Sequence, residues 1–303
     1  MASPFLTPIA SLAWILVFSV TAAAAGPDDA IEQPPLWNLV AQSHMIIVGT
    51  PRVPIHQFAP AQRTAHGRYI EFDTDVKQCL TGDPCPQTIT TRHYIYADAR
   101  EAPVDDALVA ANAKASVLFL LTGLSSNVGG SANYLAGHTA AAVQPSLPDL
   151  IRDLEAEVAA QQEIVRRFGE NFPAANEPLY GKVKSLIEAM LNRRKQKKAF
   201  AELEALGKAA VPAMIMQMDD RRELPVKAIS LRNPPGFFEG FRHYGPEVVA
   251  DAIAAILNQI TSESFGTMYN GASEPHRKAE IDAWRIYLHR TKFGATSPPV
   301  LEP

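Results

Sequence analysis

Pro145-Ser146-Leu147-Pro148 is where this chain changes its period, and the residues on either side of it set the fold. Toward the N-terminus, Met45-Ile46-Ile47-Val48 and Ser116-Val117-Leu118-Phe119-Leu120-Leu121 are short apolar runs of the length expected for buried strands. Arg68 to Val76 alternates large residues with charge, and Gln87 to Tyr96 is rich in Thr, Ile and Tyr. Both read as strands. A helical turn at Leu36 to Ala41 leads in. Gly129-Gly130 supplies a turn, and Asn133-Tyr134-Leu135 with Ala140 to Val143 reads as a closing hairpin. Short strands at this spacing predict a small barrel or sandwich.

Beyond Pro148 the apolar residues recur at helical spacing. Leu150, Leu154, Val158, Val165 and Phe168 fall near one face, interrupted by Gln161 and Gln162. Val183, Leu186, Ile187, Met190 and Leu191 form the next stripe. Phe200, Leu203 and Leu206 form another, with Gly207 as its stop. Val211, Met214, Ile215 and Met218 follow, and Pro212 suits a first helical turn. The strongest stripe is Val248, Val249, Ala252, Ile253, Ile256, Leu257 and Ile260; the last is Ile281, Trp284, Tyr287 and Leu288. The expected fold is α+β, with a small β barrel followed by an all-α domain. The expected divisions are a leader at 1–25, a barrel-like domain at 36–146, a connecting helix at 147–175, a helical domain at 176–292 and a disordered tail at 293–303.

The leader reading rests on Ile9 to Val20, an apolar run that ends in Ala22-Ala23-Ala24-Ala25 and turns polar at Gly26-Pro27-Asp28-Asp29. An apolar core followed by small residues marks a secretory signal, and cleavage is expected near Ala25. An uncleaved anchor is the rival, but the run is shorter than a bilayer span needs. The expected address is periplasmic or secreted, with no integral span after cleavage. In that setting the only cysteines, Cys79 and Cys85, read most simply as a disulfide across a turn-forming segment. A redox pair or two metal ligands are the alternatives, and the spacing is not Cys-x-x-Cys.

Apolar residues make up 47% and charged residues 20%, as in an ordinary globular chain. A net charge of −4 gives no general attraction to nucleic acid or anionic membrane. The one dense basic run, Arg193-Arg194-Lys195-Gln196-Lys197-Lys198, falls between two helical stripes and reads as a solvated face. An acidic partner or an anionic membrane surface is the alternative reading.

Leu203-Glu204-Ala205-Leu206-Gly207 followed by Ala210-Val211-Pro212-Ala213-Met214-Ile215 resembles a HEAT-type repeat, in which one helix ends at Leu-Gly and Ala-Val-Pro opens the next. Asn258-Gln259-Ile260-Thr261, Phe265-Gly266 and Ile281-x-x-Trp284-Arg285-x-Tyr287-Leu288 resemble the closing segment of some bacterial HEAT-like proteins. This resemblance spans about residues 177–290 and implies packed helices that present a contact surface. The N-terminal half resembles, more weakly, the netrin-like modules of tissue inhibitors of metalloproteinases, which have an OB-like barrel. The shared order runs from Ser43 to Gly49, through a strand ending Val76-Lys77-Gln78 and Leu80-Thr81-Gly82, to Thr88–Tyr94 and Val117–Leu121. That family grips a protease metal with an amino-terminal Cys that is missing here, so the resemblance implies the fold alone.

No His-Glu-x-x-His, nucleophile elbow or phosphate-binding glycine loop occurs, and no metal or cofactor is expected. Asp73 and Asp75 lie two apart on a strand, hence on one face, where a solvated role is the simpler reading. Arg221 to Tyr244 fits no helix and reads as a long loop carrying Phe237, Phe238, Phe241 and Tyr244. These aromatics pack on their own helices or on a partner, and they are the candidate partner-binding residues. The expected function is non-enzymatic binding of another protein of the envelope or exterior. The alternatives are an immunity or inhibitor protein, and a hydrolase whose groups, such as His93, His138 or Asp73, converge only in space.

Overall fold

The computed structural model describes residues 35–52, 56–57, 67–81, 85–96, 114, 116–124, 132–135, 143–232 and 240–291, with the backbone alone at 56–57, 67–72, 92–96, 122–124, 132–135 and 143–145. The fold is mixed α+β. Helix α1 (Leu36–Gln42) leads into strands β1 (Met45–Pro51), β2 (His56–Gln57), β3 (Gly67–Thr81), β4 (Thr88–Tyr96), β5 (Val117–Leu124), β6 (Ala132–Leu135) and β7 (Val143–Pro145). Helices α2 (Pro148–Arg166), α3 (Phe168–Asn171), α4 (Tyr180–Met190), α5 (Gln196–Ala205) and α6 (Val211–Ile215) follow. Strands β8 (Ile229–Arg232) and β9 (Phe241–Tyr244) precede helices α7 (Val249–Thr261) and α8 (Glu274–Arg290).

The apolar runs become strands because both of their faces are covered. Ile47, Phe119 and Leu121 pack with Ile89 and Val117 on one side of the sheet. Ile46, Val48, Leu118 and Leu120 pack on the other against Leu39 and Val40 of α1 and Leu154 and Val158 of α2. A strand buried on both faces has no polar alternation to show. Antiparallel pairings join β1 to β3, β3 to β4, β5 to β6 and β5 back to β1, while β4 and β6 pair in parallel. Gly49 sits at a register shift in the β1–β3 ladder, and a Cβ there would lie 2.6 Å from Thr74 Cγ2. Only glycine lets the two backbones approach so closely.

Two expectations need correction. Residues 133–135 and 143 do not form a hairpin with each other. Both β6 and β7 pair with β5, at Leu121–Leu124 and Val117–Phe119 respectively, because one eight-residue edge accommodates both short strands. The segment 221–244 is also more than a loop, since it contains the β8–β9 hairpin. Four-residue strands among prolines and glycines are too short to show in the periodicity. The expected leader at 1–25, the whole tail at 293–303, and Phe237 and Phe238 lie outside the described residues.

The helical core is continuous from α1 and the end of α2 through α8. Helix α5 ends where Gly207 adopts a φ of +61°, a left-handed conformation that glycine takes without steric cost. Pro212 then occupies the first turn of α6. Helix α7 is not a stripe: every residue from Val249 to Leu257 is buried, and its alanines let neighbours approach from all sides. Gln161, which breaks the apolar face of α2 in sequence, is buried and donates from Nε2 to the Trp37 carbonyl at 2.8 Å. The described residues belong to one compact unit.

Cys79 and Cys85 are disulfide-bonded, with Cα atoms 5.8 Å apart, and tie the end of β3 to the approach to β4. Closing so short a loop stabilises by about 2 kcal/mol. Chemical denaturation of the oxidised chain and of the double Cys→Ser variant is expected to differ by that amount. Coincident curves would show that the crosslink contributes nothing.

Candidate binding face on the second hairpin

The β8–β9 hairpin positions the described members of the aromatic group. Its register sets Ile229 against Tyr244, Ser230 against His243, Leu231 against Arg242 and Arg232 against Phe241. Alternation along β8 turns Ile229 and Leu231 into the core and leaves Ser230 and Arg232 outside. The outer face therefore carries two cross-strand pairs. Ser230 Oγ and His243 Nδ1 are 2.9 Å apart, and the Arg232 guanidinium lies 5.7 Å from the centroid of the Phe241 ring. A cation over an aromatic face at this range is attracted by the ring quadrupole.

The two described candidate aromatics, Phe241 and Tyr244, thus part company. Phe241 is 47% exposed on the outer face. Tyr244 faces the opposite way and is buried, edge-on to Tyr269 with ring centroids 5.2 Å apart, so it anchors the hairpin rather than contacting a partner. Among the described residues, three large apolar side chains are exposed: Leu147, Val226 and Phe241. Two of these three lie on or next to this hairpin, Phe241 on β9 and Val226 three residues before β8.

The carboxylates read from the sequence do not assemble a reaction centre. Asp73 accepts a hydrogen bond from Thr90 Oγ1 at 2.6 Å, and Asp75 pairs with Arg52, whose guanidinium holds its carboxyl below the usual range. The side chain of His93 and all of His138 lie outside the described residues. No group of three or more His, Cys, Asp or Glu side chains among the described residues is arranged to hold a metal ion.

A cavity of about 390 Å³ lies between α1, α2 and α8. Several of its polar groups have partners within the protein. Ser43 Oγ donates to Leu39 O, Thr81 Oγ1 accepts from Ile46 N, and Lys278 pairs with Asp282.

Sequence reasoning missed the buried polar group at the junction of α7 and α8. Asp251 accepts from the backbone N–H groups of Glu247 and Val248 at 3.0 and 3.3 Å, which caps the start of α7. Arg277 donates from Nε and Nη2 to the two Asp251 oxygens at 2.8 and 3.1 Å, and also reaches Glu247 and Glu274. Beside them Glu280 accepts from the backbone N–H groups of Thr267 and Met268. An Asp three residues after Val248 was the one available sequence signal, as an acidic residue at the third helical position.

The chain matches no protein-family model, no curated protein and no solved structure. No helix among the described residues is long and apolar enough to cross a membrane.

Proposed function

We propose that this is an exported, non-catalytic protein-binding protein whose contact surface includes the outer face of the β8–β9 hairpin. The observation that carries the reading is the outer face of that hairpin, where Phe241 is 47% exposed and pairs with the Arg232 guanidinium. An aromatic ring and an arginine presented together are the residue types that anchor protein interfaces. Export is supported by the leader-like start of the sequence and by the disulfide, which persists in an oxidising compartment.

Two readings of the architecture belong with this proposal. The circuit β1–β3–β4–β6–β5–β1, with one parallel pair among the described residues, favours an OB-like barrel. The α5–Gly207–α6 turn favours a HEAT-like unit, although α6 has five residues and therefore offers only a short second helix.

The test is affinity capture of the mature protein from an envelope fraction, alongside a variant with Phe241, Phe237 and Phe238 changed to Ser. The wild type is expected to retain a partner that the variant loses by at least about tenfold, equivalent to 1.4 kcal/mol. Far-ultraviolet circular dichroism and the unfolding midpoint should stay unchanged. Identical capture profiles for the two proteins would overturn the proposal.

A further inference from the structure

We infer that the groove between α5 and β8 receives an extended peptide segment that places a carboxylate against Arg193 and Lys197. This rests on the protein-binding reading and names the chemistry of the partner. The groove encloses about 320 Å³. Phe200 of α5 and Ile229 and Leu231 of β8 make its apolar wall, and exposed Val226 stands at its margin.

Three observations converge on that occupant. Gln196 is 3% exposed and lines the groove. Its Nε2 donates to the Val226 carbonyl at 2.7 Å, which fixes the orientation of the amide, and its Oε1 is buried with no hydrogen-bond partner among the described residues. A buried acceptor left unpaired is costly, so the groove favours a ligand that supplies a donor there. A peptide N–H is such a donor.

The wall itself is a strand. Among the described residues β8 pairs with β9 alone, and Ile229, Ser230 and Leu231 contribute consecutively to the groove. A strand with one paired neighbour is a template for an added extended segment.

Charge then selects the segment. Arg193 and Lys197 line the groove, and Arg194 and Lys195 flank them. Among the described residues none of these four side chains is in an ion pair, whereas Lys198 reaches Glu202 at 3.6 Å. The basic run is thus an unneutralised rim on a groove. Glu204 lines the groove two turns further along α5, about 10 Å from Lys197 along the helix axis. That is the span of about three extended residues. An acidic residue at one end, apolar residues between and a lysine at the other would meet both charges.

The probe is the end-blocked tetrapeptide Glu-Val-Val-Lys, titrated into the isotopically labelled full chain and followed by NMR amide shifts. Saturable binding with shifts confined to α5 and β8 is expected. Lys197→Glu, an exposed substitution, should weaken it at least about tenfold, and the control peptide Gln-Val-Val-Lys should bind more weakly to the wild type. Gln196→Leu should do the same, with its unfolding midpoint recorded as a check on folding. No saturable shift, or equal affinity of wild type and Lys197→Glu, would overturn the assignment. Peptide failure alongside Phe241-dependent partner capture would remove this groove and leave the protein-binding reading intact. Capture that ignores the Phe241 substitutions would remove that reading whatever the peptide does.

Discussion

Replacing Arg277 with Ala will destabilise the folded chain by about 3–5 kcal/mol, because it leaves the Asp251 carboxylate buried without its partner. Asp251 is fully buried and Arg277 is 7% exposed, so water cannot take over the lost bonds. The guanidinium holds together the start of α7 and the first turn of α8 through Asp251, Glu247 and Glu274. The exposed pair Lys278–Asp282 on the same helix is the internal control. Its lysine is 74% exposed, and Lys278→Ala should cost no more than about 1 kcal/mol. Urea denaturation of the two variants measures the contrast. A loss for Arg277→Ala as small as that for Lys278→Ala would show that the buried network is not what joins these helices.

The second large effect is a pH dependence centred on Glu280. This carboxyl is buried, and burial pushes its pKa from an ordinary 4.5 up to about 7, aided by the nearby Asp251 charge and opposed by the Thr267 and Met268 N–H groups. A Cβ at residue 266 would lie 2.1 Å from Glu280 Oε1, so Gly266 makes room for the carboxyl. Because the folded-state value is raised, the folded chain holds this proton more tightly than the unfolded chain does. The resulting stabilisation is complete below about pH 4.5 and is lost as pH rises to about 7. Its full size is roughly 3 kcal/mol. Stability measured at acid and neutral pH should therefore fall across this window in the wild type, and Glu280→Gln should remove that part of the slope. Parallel pH profiles for the two proteins would refute the assignment.

Both effects arise from residues that no periodic pattern marks. Asp251, Arg277 and Glu280 sit at positions where an amphipathic helix of ordinary composition carries polar residues, and only tertiary contacts, between Asp251 and Arg277 and between Glu280 and the 266–268 turn, bury them. Gln161 is a similar case, since it interrupts an apolar stripe in sequence and is a buried donor in the fold. Elsewhere the pattern was sufficient. Met45–Val48 and Val117–Leu121 are strands, Gly207 stops a helix, and Cys79 is bonded to Cys85. The candidate binding face was half legible. The clustering of aromatics marked residues 237–244, but the direction each side chain takes depends on the β8–β9 register, which sends Phe241 outward and Tyr244 into the core. The basic run was visible as charge, and only the approach of β8 to α5 makes it the rim of a groove.

The sequence by itself marked strands β1, β3, β4 and β5, the main helices, the change of period at Pro148 and the Cys79–Cys85 pair, but not the β8–β9 hairpin. These are local properties, set by periodicity, by glycine and proline geometry and by short loop closure. Only the tertiary structure decided that β1 joins both β3 and β5, that β6 and β7 share the edge of β5, and which polar groups are buried. Those outcomes depend on contacts between residues far apart in the chain, and a single sequence carries no term for the partner that a polar side chain or a strand edge will meet.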